Sequence, residues 1–173
     1  MTSALAVHAG PRALQLLRER GLRAQDVRAI PAAAGGPKGL ALVPLDQYLF
    51  GEWLVPRVGE ASHSIHLLGA SIGAWRMACA CLSEPVKAFA QMAEDYIEQR
   101  YDHAPGKLPH PSHVSDVFGA NLERRFGPRT AEVLSHPRHR LHVFTSRGRN
   151  LLRRDGKLLS SISTPLALSL IHI

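Results

Sequence analysis

The order of apolar segments predicts an α/β fold with a central, mainly parallel sheet flanked by helices. Two short apolar runs, residues 27–34 and 64–68, have the length and branching of buried strands, and a helical period follows each of them. Strands that alternate with helices in this way form βαβ units with parallel strands. With 173 residues, 45% of them hydrophobic, the chain can bury one core, so we expect a single domain over residues 1–173.

Helical periods are found on either side of these strands. Pro11 opens a helix over residues 12–20 that Gly21 closes, and a longer helix is predicted over residues 40–53. A helix over residues 72–82 follows the second strand. Ser83 can cap the next helix, which has Pro85 in its first turn. The residues expected on the buried faces of the second and fourth of these helices are Leu42, Leu45, Leu49 and Trp53, and Val86, Phe89, Ala93, Ile97 and Tyr101.

The remaining elements are predicted less directly. A proline-rich surface loop over residues 102–111 precedes helices over 115–126 and 128–134, and residues 141–146 alternate as a strand does. Asp155-Gly156 between two leucine pairs predicts a hairpin turn. Residues 166–173 resemble the beginning of a helix without a cap, so we expect the C-terminal part of the domain to be missing.

Composition excludes several classes of protein. No run of 18 apolar residues could span a membrane, and residues 1–8 lack the basic start of a secretory signal, so we expect a cytoplasmic protein. The formal charge is +7, but the basic residues are scattered and aromatic residues make up only 6%, so no nucleic acid partner is expected. A solvated basic surface is the simpler interpretation, with peripheral contact to an anionic membrane surface as the alternative. Cys79 and Cys81 are expected to be reduced core thiols.

A nucleophilic serine is predicted at the junction after the second strand. Residues 69–73 read Gly-Ala-Ser-Ile-Gly, the G-x-S-x-G pattern of a nucleophile elbow, and they lie between a strand and a helix. A sharp strand-to-helix turn projects the serine hydroxyl away from the sheet and holds the residue in a strained backbone state. The elbow therefore comprises Ser71 as the nucleophile with Gly69, Ala70, Ile72 and Gly73 around it.

A glycine-rich loop after the first strand supplies the second part of the site. Residues 35–39 read Gly-Gly-Pro-Lys-Gly and precede a helix. Glycine N–H groups can approach a developing oxyanion closely, so Gly35 and Gly36, with Lys38 and Gly39, form the expected oxyanion hole. Both loops follow parallel strands, and we expect them to meet at the same carboxyl edge of the sheet. The loop is not a P-loop, because the glycine that this motif requires further upstream is absent.

These two motifs resemble those of the patatin-like phospholipase family, and residues 69–76 are especially similar to a bacterial branch of it. That family combines a G-G-x-[KR]-G oxyanion loop with a G-x-S-x-G elbow on the next strand. The resemblance extends from about Val27 to Ala80. It implies a three-layer patatin-like fold, a lipid ester as substrate, no cofactor or metal, and a Ser-Asp dyad.

The aspartate that the resemblance implies lies in a downstream D-G-[GA] motif, which this chain lacks. Asp155-Gly156 is followed by Lys157 and is interpreted as a hairpin turn. We therefore expect the chain, as it stands, to be a weak hydrolase. Two alternatives remain open: a catalytically incomplete domain that binds lipid or a partner, and an α/β-hydrolase with a Ser-His-Asp triad.

Other residues near the motifs have simpler interpretations. His66 lies too close to Ser71 on the same strand to act as its base. Two sets of histidines, at 103, 110 and 113 and at 136, 139 and 142, lack accompanying carboxylates or cysteines and are expected at the surface. Trp75 is expected to pack, whereas Arg76 could contact an anionic head group.

Overall fold

The computed structural model describes residues 8–56 and 63–146. Nearly all of them belong to one compact unit, Met1–Val143; of the second unit, Phe144–Ile173, only residues 144–146 are described. The hairpin expected at Asp155 and the helix expected over residues 166–173 lie outside the described residues. The single domain over residues 1–173 therefore remains a prediction.

Strands and helices alternate in the predicted order. The strands are β1 (Ala29–Ala32), β2 (Ile65–Ala70) and β3 (His139–Phe144). The α-helices in the described residues are α1 (Pro11–Arg20), α2 (Val43–Tyr48), α3 (Ile72–Cys79), α4 (Pro85–Glu98), α5 (Pro111–Phe126) and α6 (Thr130–Leu134). A 3₁₀ helix, Gly36–Leu42, leads into α2, and a π-helical turn, Leu49–Trp53, continues it. Short 3₁₀ turns at Ala24–Asp26 and Gly127–Arg129 complete the set.

The three strands form an open parallel sheet in the order β1-β2-β3. Ala29 pairs with His66 and Ala32 with Gly69, so the last residue of β1 lies beside the end of β2. The N–H of Ile65 donates to the carbonyl of Arg138 at 2.9 Å, where β3 begins. The α/β class is confirmed, while the three-layer arrangement stays a prediction.

One core joins the sheet to α2, α3 and α4. Ile65 and Leu67 alternate inward from β2, α3 contacts β1 and β2 directly, and α4 packs against α2 and α3. Phe89 and Met77 are completely buried within this core. Cys79 and Cys81 are free and buried as expected. Burial raises the pKa of each thiol to about 12, so both remain protonated and unreactive.

The buried face predicted before β2 is wrong in its first half, although Leu49 and Trp53 pack against the core as expected. Leu42 and Leu45 are 44% and 50% exposed, while Val43, Asp46 and Phe50 point inward. The chain passes from a 3₁₀ helix through α2 to a π-helical turn, and these have different numbers of residues per turn. A single 3.6-residue period therefore cannot follow the face that the segment buries.

The face predicted for α4 is also partly wrong. Phe89 is buried as expected, but Val86 and Ile97 are 45% and 71% exposed, and Ala88 and Met92 are buried instead. The small side chain of Ala88 allows the helix backbone to approach α3, and the Cys79 thiol lies 3.6 Å from the Ala88 carbonyl. The cap expected from Ser83 is absent too, because Glu84 occupies the N-cap position.

Candidate active site

Ser71 forms the turn between β2 and α3 by itself. β2 ends at Ala70, α3 begins at Ile72, and Ser71 has φ 52° and ψ −128°. Among the described residues it is the one non-glycine residue with a positive φ. Such a conformation costs an L-residue about 1–3 kcal/mol and persists only where the surrounding structure enforces it. The uncommon backbone state expected for Ser71 is confirmed.

Two crowded glycines enforce this turn. A Cβ at Gly69 would lie 2.7 Å from the Ala74 nitrogen and 2.8 Å from the Gly73 carbonyl oxygen. A Cβ at Gly73 would lie 2.6 Å from the Ala32 carbonyl carbon and 2.8 Å from the Ala33 oxygen. All of these atoms are backbone, so no side-chain movement could make room. The first turn of α3 thus presses directly on the end of β1.

The Ser71 side chain is available for chemistry. Ser71 is exposed, and its hydroxyl makes no capping hydrogen bond to α3 although serine is a favoured N-cap residue. Over residues 8–56 and 63–146, no carboxylate and no imidazole forms a hydrogen bond with it. The described part of the chain therefore holds no hydrogen-bonded base for Ser71.

The glycine-rich loop lies at the same edge of the sheet as the elbow, as expected. Ala32 and Gly69 are paired, so the loop and the elbow leave adjacent strands about 5 Å apart. Gly39 is buried against the elbow, where a Cβ would lie 2.8 Å from Ile72 Cγ2. The tight contact joins the loop to the residue that follows Ser71.

Within the loop the four predicted residues have different roles. Gly36 is the first residue of the 3₁₀ helix with φ 52°, and Gly35 precedes it. In the described part of the chain, neither of their N–H groups donates to a backbone carbonyl outside regular structure. The Lys38 N–H, by contrast, donates to the Gly35 carbonyl at 3.3 Å. Gly35 and Gly36 are thus the available donors, Lys38 offers an exposed cation, and Gly39 serves packing.

A buried ion pair between Arg76 and Asp46 stabilises the position of α3, the helix that follows the elbow. Arg76 Nε and Nη2 donate to the two carboxylate oxygens of Asp46 at 2.5 and 2.7 Å, and the two side chains are 6% and 4% exposed. The pair joins α2, which continues the glycine-rich segment, to α3, which begins at the elbow. Asp46 was not predicted, because a pattern of apolar residues does not identify a charged residue on the inner face of a helix.

The head-group contact expected for Arg76 is corrected by this geometry. A guanidinium that is 5% exposed and bidentate to a carboxylate cannot reach a ligand at the surface. Arg76 positions α3 instead.

Among the histidines, His66, His139 and His142 make contacts within the fold. His66 Nδ1 lies 2.9 Å from His142 Nε2 on the sheet, and five extended residues, about 16 Å, separate His66 from Ser71. His139 is a correction, because it is buried rather than at the surface. Its Nδ1–H donates to the Ala80 carbonyl at 2.8 Å, and burial lowers its pKa to about 4. Within the described ranges, no group of histidine, cysteine, aspartate and glutamate side chains is arranged to hold a metal.

Comparison with models of known protein families, with curated proteins and with solved structures finds no match for this chain. None of the helices in the described residues is long and apolar enough to cross a membrane.

Proposed function

We propose that this protein is a lipid acyl hydrolase of the patatin-like type, with Ser71 as its nucleophile. One observation carries the proposal: an exposed serine is held in a strained backbone conformation at a strand-to-helix turn, beside a glycine-rich loop with unused N–H groups. Strain of this kind is typical of functional sites. A serine that served only as a helix cap would bond to the first turn of α3, which Ser71 does not do.

In the proposed reaction, Ser71 Oγ attacks the carbonyl carbon of the ester and loses its proton to a base. The carbonyl oxygen becomes an oxyanion, which the N–H groups of Gly35 and Gly36 stabilise together with the N-terminal end of α3. The alcohol then leaves with a proton, and water hydrolyses the acyl-serine. The net charge of +7 favours attraction to an anionic lipid surface.

The base proposed for Ser71 is an aspartate, as the resemblance to patatin-like proteins implies. Asp46 cannot serve, because both of its oxygens accept hydrogen bonds from Arg76. We therefore propose that the base is contributed by residues other than those described.

Labelling with a fluorophosphonate tests the nucleophile directly. We expect covalent attachment to Ser71 in the wild-type protein and none in Ser71→Ala. Ser64→Ala is the matched control, because Ser64 is an exposed serine just before the same strand. Modification of Ser64, or equal labelling of the Ser71→Ala variant, would contradict the proposal. A folded wild-type protein that stays unlabelled even after prolonged incubation would instead favour a binding domain.

Turnover of a chromogenic short-chain ester tests the base. Loss of the partner of a catalytic serine costs roughly 10⁴-fold in turnover, and no aspartate of this chain lies in a D-G-[GA] motif, so we expect the 173-residue chain to be a slow hydrolase. Asp155→Asn should leave the rate unchanged. If this substitution abolished a substantial rate, Asp155 would be the base and the hairpin interpretation would be wrong.

A further inference from the structure

A group of aromatic rings lies beside the elbow and has no part in the chemistry proposed above. Trp75, Tyr96, Tyr101 and Phe118, from α3, α4, the segment after α4, and α5, form what we call the aromatic cluster. Ring centroids are 4.9 Å apart for Trp75 and Phe118, 6.1 Å for Trp75 and Tyr96, and 5.9 Å for Tyr96 and Phe118. Tyr101 lies 6.2 Å from Phe118. Each of the four is only partly buried, so the rings keep apolar surface accessible.

The aromatic cluster adjoins both parts of the candidate active site. Trp75 is one helical turn after Ser71, and long side chains on a helix lean toward its N-terminus, which here is the elbow. At the other side, the Tyr96 hydroxyl lies 4.0 Å from the position that a Cβ on Gly36 would take. The cluster therefore extends from the nucleophile to the oxyanion loop.

Hydrogen bonds between α5 and α4 hold the aromatic rings in place. Arg125 on α5 donates to Asp95 at 3.0 Å, to the Gln91 side chain at 3.2 Å and to the Gln91 carbonyl at 3.0 Å. These bonds hold α5 against α4, although α5 has no fully buried residue of its own. Phe118 is thereby kept against Trp75 and Tyr96. An apolar surface that is organised before a ligand binds loses little conformational entropy on binding.

We propose that the aromatic cluster binds the acyl chain of the ester and determines chain-length preference, with Trp75 and Phe118 as its main contacts. The inference rests on the proposed function, because it places the acyl chain next to Ser71. A straight aliphatic chain suits partly exposed rings, which offer apolar contact without polar groups to satisfy. The hydroxyl of Tyr96, which makes no hydrogen bond in the described residues, stays at the end of the cluster nearest the oxyanion loop.

The ratio of the labelling rates of a long-chain and a short-chain probe tests the proposal. Ethyl and decyl fluorophosphonates are compared below the concentration at which the decyl probe forms micelles. We expect the decyl probe to label wild type at least about tenfold faster, and Trp75→Leu or Phe118→Leu to lower this preference about tenfold. The matched control is Trp53→Leu, which removes the other tryptophan, also half-buried, from the π-helical turn. A variant that slowed both probes equally would show a purely structural role and overturn the inference.

A binding measurement separates this inference from the proposed function. In a Trp53→Phe, Ser71→Ala protein, Trp75 is the single remaining tryptophan. We expect decanoate to change its emission with saturation, and acetate to leave it unchanged. If neither fluorophosphonate labels wild type but decanoate binds, the hydrolase proposal fails and the acyl site stands. If Ser71 is labelled but decanoate has no effect, the acyl site fails alone.

Discussion

The glycine-rich loop after β1 and the elbow after β2 use glycine for different physical reasons. At the elbow, an added Cβ on Gly69 or Gly73 would meet backbone atoms at 2.8 Å or less. In the loop, the nearest atom to an added Cβ is the Gly39 nitrogen at 3.9 Å for Gly35 and the Tyr96 hydroxyl at 4.0 Å for Gly36. The elbow glycines permit backbone packing, while Gly35 and Gly36 in the loop leave open space where a substrate would approach.

Because of this difference, substitutions at the elbow should lower the stability of the fold, whereas substitutions in the loop should lower the reactivity of Ser71. A side chain added at the elbow has no space to occupy, so the fold itself must yield. A side chain added at Gly35 or Gly36 would occupy solvent and could obstruct a ligand. Single substitutions at these glycines therefore test whether the elbow and the loop differ in this way.

The largest loss of stability is expected from a substitution in the buried ion pair of Arg76 and Asp46. Arg76→Met would leave the Asp46 carboxylate buried without its partner, at a cost of about 4 kcal/mol in the free energy of unfolding. Urea denaturation at pH 7.5 measures this cost. The double variant Asp46→Leu, Arg76→Met should recover most of it, because no uncompensated charge remains. A single variant within about 1 kcal/mol of wild type would show that the pair does not hold α3 in place.

Gly73→Ala is the direct test of crowding at the elbow. The added methyl would press on the backbone of Ala32 and Ala33, and we expect a loss of about 3 kcal/mol in the free energy of unfolding. Gly119→Ala is its matched control, because a Cβ there meets nothing within 4 Å and the residue lies within α5. That control should gain up to about 1 kcal/mol from better helix propensity. If the two variants were equally stable, backbone crowding at Gly73 would not be what excludes a side chain from the elbow.

The sequence predicted the elbow and loop well because both depend on local patterns. Glycines at fixed spacing after apolar strands predict the position of a sharp turn without knowledge of the rest of the chain. Asp46 and the aromatic cluster depend on which residues meet across helices, and residue spacing within one helix does not determine this. The helical face predicted before β2 was partly wrong for a related reason, since the change from 3₁₀ to α to π geometry leaves no single period in the sequence.

Acid pH tests whether the far end of α3 supports the elbow. His139 bonds to the Ala80 carbonyl just after α3, and its folded pKa of about 4 lies below the ordinary value of 6.5. The unfolded chain therefore binds a proton first as pH falls through 6.5, and stability is lost down to about pH 4. Between pH 8 and pH 5 this amounts to about 2 kcal/mol.

His139→Gln is the control for this acid effect. Glutamine can still donate to the Ala80 carbonyl but does not titrate, so urea unfolding of the variant should lose less stability between pH 8 and pH 5 than that of wild type. An unchanged pH dependence in the variant would assign the effect to another group. Fluorophosphonate labelling at pH 5.5, with folding checked by circular dichroism, reports whether the elbow itself responds.

The smallest change in stability, and the most informative one, is expected in the loop. Gly35 has φ −173°, which any residue adopts, and open space around it, so Gly35→Ala should change the free energy of unfolding by less than about 0.5 kcal/mol. Gly36 has φ 52°, so Gly36→Ala should cost about 1 kcal/mol.

Both variants keep their N–H groups, but a methyl at the approach to Ser71 should slow labelling by ethyl fluorophosphonate about tenfold. Gly10→Ala, equally open and distant in sequence from both motifs, should change neither quantity. If Gly35→Ala destabilised the protein as much as Gly73→Ala, the loop would be a packing element like the elbow. If it changed neither stability nor labelling, the open face of the loop would not be where the ester binds, and the oxyanion hole would have to be formed elsewhere.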